Sequence, residues 1–103
     1  MNFISAKEYR SDRAWGAITI ANFDGVTTRL HWTDQAYHWH VNDGVEVFVV
    51  LDGIVNMHFM EDRREKIQRM EPGDIVSIEQ GAQHVACPVG EVRVLVTERE
   101  NSV

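Results

Sequence analysis

The feature that most constrains this chain is the spacing of its turn signals. Asp24-Gly25, Asp43-Gly44, Asp52-Gly53, Pro72-Gly73-Asp74, Gln80-Gly81 and Val89-Gly90 punctuate the sequence. From Gly44 onward most of the gaps are eight or nine residues, with one longer interval. Glycine enters positive φ without steric cost and Asp hydrogen-bonds its own backbone, so such pairs reverse a chain tightly. Segments this short between reversals suit strands, and the rhythm predicts an all-β sandwich or barrel. The intervening runs are β-branched and aromatic: 17–23, 26–32, 45–51, 54–60, 74–79 and 92–98. Several alternate at period two, as in Val92, Val94 and Val96 against Arg93 and Thr97. The run 45–51 is apolar on both faces and therefore needs covering twice. Residues 5–13 form the only helical candidate, where Ser5 and Glu8 have capping-box spacing.

At 103 residues the chain is expected to be a single domain, 1–103, with one core. No stretch approaches the roughly 18 consecutive apolar residues that a membrane span needs. The start, MNFISAKEYRSDR, lacks a basic-then-apolar leader. Cys87 is the only cysteine, so no intrachain disulfide forms, which fits a reducing compartment. These points predict a cytoplasmic protein. The formal net charge is −6, and the short basic run 63–66 is interrupted by Glu65 and expected to be a solvated loop. Nucleic acid, which selects clustered basic charge, is excluded as an expected partner.

Residues 37–46 read YHWHVNDGVE. As a strand over 37–42, this segment places His38, His40 and Asn42 on one face and Tyr37, Trp39 and Val41 on the other. Such a polar row on a barrel wall is costly unless its members bind one another, water or a ligand. A three-residue connection at 43–45 would pair Asn42 with Glu46 and His40 with Phe48, turning Glu46, Phe48 and Val50 inward. His38 would then lie roughly 13 Å along the strand from Glu46, too far to share one ion. His31 and His58 fall in other strands and are expected to be surface or satisfied histidines. Cys87, three residues after His84, is expected on the opposite face as a small buried hydrophobe. Trp32, Tyr37 and Trp39 are expected to pack.

The segment WHVNDGVEVFVVLDG resembles the first sequence motif of the cupins, HxH, three or four residues, E, six residues, G. Glu46 and Gly53 have the required separation, His40 takes the first His position and Asn42 stands at the second. The segment GDIVSIEQGAQHVACP resembles the second motif, G-x5-P-x-G-x2-H-x3-N. Gly73, Gly81 and His84 match it, while Glu79 replaces the usual Pro and Pro88 the usual Asn. Together the blocks cover residues 40–88. The sequence is most similar to small single-domain cupins of the conserved-barrel (cupin 2) type, including those named for polyketide synthesis. The resemblance implies a jelly-roll β-barrel with a short N-terminal helical segment. It also implies a divalent metal, Fe, Mn or Zn, held by His40, Glu46 and His84, with Asn42 in the remaining ligand position. The same four residues also suit a metal-free, hydrogen-bonded network.

Two functions from different classes follow. One is metal-assisted chemistry on a small organic molecule held in the barrel. The other is a non-catalytic module that binds a small molecule there. A homodimer is expected, because Val47, Val49 and Leu51 would lie beside Tyr37, Trp39 and Val41 in one outward apolar patch. Packing of the first 14 residues over that patch is the alternative.

Overall fold

A computed structural model describes residues 1–101. Six strands follow a single 3-10 turn at Ala6–Glu8: β1 Gly16–Phe23, β2 Val26–Thr33, β3 Glu46–Glu61, β4 Arg64–Met70, β5 Ile75–Ile78 and β6 His84–Arg99. All pairings are antiparallel, in the order β1-β2-β6-β3-β4, with β5 attached to β3.

Two strands of 16 residues dominate. The first half of β3 pairs with β5 and with the second half of β6, through Phe48–Val76 and Phe48–Val96. Its second half pairs with β4 and with the first half of β6, through Met57–Gln68 and Met57–Ala86. Each long strand thus serves both walls of the barrel. The register shifts on either side of Asp52 mark where β3 bends. Phe48, Val50, Val55, Met57, Val92, Val94 and Val96 meet inside as the core.

The predicted runs 45–51 and 54–60 are therefore one strand. Asp52-Gly53 bends that strand without reversing it. Gly53 has φ +85, and a Cβ there would stand 2.5 Å from the Glu91 carbonyl oxygen, so the bend needs glycine. The true reversal is Asp62-Arg63, with φ of 53 and 64, a two-residue hairpin joining Glu61 to Arg64. Because no glycine marks it, β4 falls within the long interval between turn signals, and Arg64–Lys66 lie in a strand rather than in the expected loop. Asp24-Gly25 makes the predicted hairpin between β1 and β2.

The helical expectation for 5–13 reduces to Ala6–Glu8, and Ser5 makes no side-chain cap. The next residues instead tie to the sheet. The Arg93 guanidinium donates to the Tyr9 carbonyl at 2.9 Å and to the Asp52 carboxylate at 3.1 Å. Arg10 lies 5.4 Å above the Trp32 ring, whose indole N–H donates to Glu91. No helix of the described residues is long and apolar enough to cross a membrane.

Gly53→Ala is expected to lower stability by about 1–3 kcal/mol, since a strained φ and a backbone clash coincide. Gly25→Ala, at φ +77 with nothing within 4 Å of a new Cβ, is expected to lose less. Urea denaturation of both variants, with the slope unchanged, checks the order.

Candidate metal centre

Two side chains six residues apart, His40 and Glu46, meet a third from far along the chain, His84, inside the barrel. Glu46 opens β3 and shares its inward face with Phe48 and Val50. His84 opens β6 and shares its inward face with Ala86. His40 lies in no strand but exchanges two backbone hydrogen bonds with His84, each 3.1 Å. One ligand atom from each of His40, Glu46 and His84 lies within 4.8 Å of the others. Glu46 is 5% exposed and His84 3%.

The local path differs from the predicted hairpin. Residues 37–42 run beside the start of β6, through Tyr37–Ala86 and His40–His84, and not beside β3. Asp43 and Gly44 form a bend rather than a hairpin turn, and Glu46 joins a ladder with Ile78. The expected pairs Asn42–Glu46 and His40–Phe48 are absent from the ladders, yet Glu46 still points inward. Tyr37 turns into the cavity instead of outward with Trp39. Trp39 and Val41 flank Met60 and Glu65, away from Val47, so the six-residue patch does not form.

The hydrogen bonds fix how both imidazoles face the centre. His40 Nδ1 lies 2.9 Å from the His38 carbonyl, and His84 Nδ1 lies 2.9 Å from the Ala82 carbonyl. A carbonyl only accepts, so each Nδ1 carries a proton and, in the neutral ring, each Nε2 presents a lone pair. This is the arrangement by which metal-bound histidines are commonly oriented. His84 Nε2 sits 3.3 Å from Glu46 Oε1, within ion-pair range but not aligned for a hydrogen bond. Asn42, also buried, donates its amide N–H to Glu46, and its Oδ1 is left without a partner. Two imidazole nitrogens and a carboxylate are a ligand set that fits a cation, and the buried Asn42 amide braces that carboxylate.

In the metal-free site the electrostatics favour a proton on His84, which a bound cation would displace. Burial pushes the Glu46 carboxyl up, but His84, the Asn42 amide and His40 outweigh it and hold the group below its ordinary range. Burial pulls His84 down, and the Glu46 carboxylate together with the Ala82 carbonyl more than reverses this, leaving His84 raised. His40 is lowered, chiefly by burial.

The centre opens into a cavity of about 130 Å3, walled by Trp15, Tyr37, Phe48 and Met57. His31 and Glu98 also line it, and neither was expected there. Glu98 continues the inward series Val92, Val94, Val96 by two residues, so its direction was available from alternation. His31 carried no such signal. His38 is exposed, stacks on Tyr37 at 4.0 Å and lies outside the cluster. His58 bonds Glu65 at 3.1 Å, as a satisfied surface histidine. Cys87 faces away from the centre but is half-buried rather than buried.

A crystal structure of a cupin-2 domain protein from Shewanella frigidimarina superposes with a TM-score of 0.76 over 86% of this chain and 84% of that one, at 21% identity. The fold is that of the cupins. A hydroquinone 1,2-dioxygenase in complex with Fe3+ shares it at 18% identity and a TM-score of 0.76. So does a hydroquinone 1,2-dioxygenase from Sphingomonas sp. TTNP3 with 4-hydroxybenzoate bound, at 19% identity and a TM-score of 0.74. Each match covers 89% of this chain, which spans only 30% and 29% of the two dioxygenase chains. No protein-family model matches the sequence, and no curated protein matches it. Within the cupin fold, the centre lies where both sequence motifs meet.

Burial and the neighbouring Glu46 raise the Glu98 carboxyl to about 7. A carboxyl raised on folding favours the folded state below its unfolded value, and that contribution is lost as pH rises through about 7. Glu98→Gln is therefore expected to gain stability relative to the parent in metal-free protein at pH 8 and to gain little at pH 4. Paired thermal melts at the two pH values test the sign.

Proposed function

We propose that this chain is a metal-dependent enzyme acting on a small organic molecule, with His40, Glu46 and His84, braced by Asn42, holding a divalent ion, Fe(II) before Mn(II) or Zn(II). The observation that carries it is the convergence of two carbonyl-fixed imidazoles on a buried carboxylate, with ligand atoms within 4.8 Å of one another. A two-His, one-carboxylate set with open positions suits Fe(II), and a bound ion would supply Lewis acidity and reactivity toward dioxygen. The protein's own part is to orient both imidazoles, to bind the substrate between Trp15, Tyr37 and Phe48, and to exclude water. The cavity, about 130 Å3 and open on one side, has room at the centre for a single ring or a group of that bulk. The dioxygenases that share the fold support an aromatic substrate and an oxygen-dependent reaction.

Elemental analysis of untagged protein is expected to find close to one metal ion per chain. At a free metal concentration one hundred times Kd, the ion stabilises the fold by about 2.7 kcal/mol. His84→Ala is expected to abolish both the metal and the stabilisation. His38→Ala should leave them nearly intact, because the hydrogen bond that orients His40 goes to the His38 backbone carbonyl, and the His38 ring adds only an edge contact at 5.6 Å. Failure of the parent protein to bind any of the three ions would leave a metal-free binding module.

We further propose a homodimer, now on a different surface. Ile18 on β1, Val47 on β3 and Ile75 on β5 are exposed on the outer face of one wall, with Val49 beside Ile75 in register. Symmetric pairing of that face would bury it on both copies. Light scattering at micromolar concentration is expected to give twice the 11.8 kDa of one chain. Val49→Lys is expected to yield monomer or aggregate.

A further inference from the structure

We infer that His31 is the residue that recognises a hydroxyl group of the bound molecule, a role outside both sequence motifs. The inference rests on the small-molecule cavity proposed above and not on the metal.

His31 belongs to β2, where its cross-strand neighbour is the fully buried Val94. It therefore faces the interior and lines the same cavity as His40, Glu46 and His84, yet it is not part of the three-residue cluster. Its Nδ1 lies 3.2 Å from the Trp15 carbonyl. That acceptor fixes the proton on Nδ1, so Nε2 carries the lone pair. Burial lowers the His31 pKa, which keeps the ring neutral near pH 7.

The group that holds His31 is itself held in an uncommon conformation. Trp15 has φ 59, a left-handed backbone rare for a bulky side chain. The Gly16 N–H donates to the Arg13 carbonyl at 3.2 Å and closes the turn around it. The Trp15 indole packs edge-on against both His31, at 5.9 Å between ring centroids, and Tyr37, at 5.3 Å. His31 is thus oriented from behind by a carbonyl and from the side by an aromatic ring. A neutral acceptor beside aromatic walls discriminates a ring that carries a hydroxyl from the same ring without one.

Phenol and toluene, which differ by hydroxyl against methyl, are the probes. Each is titrated by NMR into the full chain, with chelator and again with Zn(II). The parent is expected to prefer phenol by about tenfold. The His31 Nε2 nitrogen resonance should move with phenol and stay with toluene, a readout that needs no variant. His31→Phe, which keeps a ring against Trp15, is expected to erase the preference while leaving toluene binding within about twofold. Binding of neither probe, equal binding of both by the parent, a preference that survives in His31→Phe, or an unmoved Nε2 resonance would each overturn the assignment. Zn(II) uptake is read separately and fails or succeeds without reference to these ratios, so loss of the metal and loss of hydroxyl recognition are distinguishable.

Discussion

The long antiparallel pairing of β3 with β6 is the constraint on which the rest of the molecule depends. Each strand crosses from one wall of the barrel to the other, so the first half of one meets the second half of its partner. That geometry places Glu46, at the start of β3, within reach of His84, at the start of β6, although 38 positions separate them in sequence (84 − 46). The bend at Asp52-Gly53 is what allows it. A straight β3 would extend roughly 50 Å and could not close a barrel.

Closing the barrel creates a problem of charge. Glu46 is buried, and an isolated carboxylate there would be strongly disfavoured. The chain answers with an amide donor from Asn42 and with the nearby imidazole of His84. These partners hold Glu46 ionised, with His84 Nε2 at ion-pair distance, while Asn42 Oδ1 stays without a hydrogen bond. A cation held between His40, Glu46 and His84 would take the lone pair of His84 Nε2 in place of a proton. Glu98 adds a second carboxyl beside the first, and its raised pKa is the electrostatic consequence.

Much of the candidate site was legible because its residues sit in two blocks of fixed spacing. His40, Glu46 and Gly53 in one block and Gly73, Gly81 and His84 in the other are recognisable without coordinates. The inward direction of Glu46 also followed from alternation with Phe48 and Val50. The ladder did not follow, because a bend and a hairpin at Asp43-Gly44 begin from the same two residues. Only the partner strand distinguishes them. β4 was missed because Asp62-Arg63 adopts a left-handed turn that such pairs seldom mark.

Strand β2 shows where sequence stops. Its Leu30 and Trp32 alternate with Arg29, His31 and Thr33, a pattern that by itself places the apolar side in the core and His31 at the surface. The structure has the reverse. His31 faces the cavity, while Trp32 lies on the outer side beneath Arg10 and is buried all the same. Local alternation determined that β2 is a strand with two unlike faces, as turn spacing determined an all-β chain and motif spacing the site. Which face of β2 looks inward was decided only by tertiary structure. The N-terminal segment supplies an outer cover through Arg10, and the cavity supplies a polar interior, and neither is encoded within the strand itself.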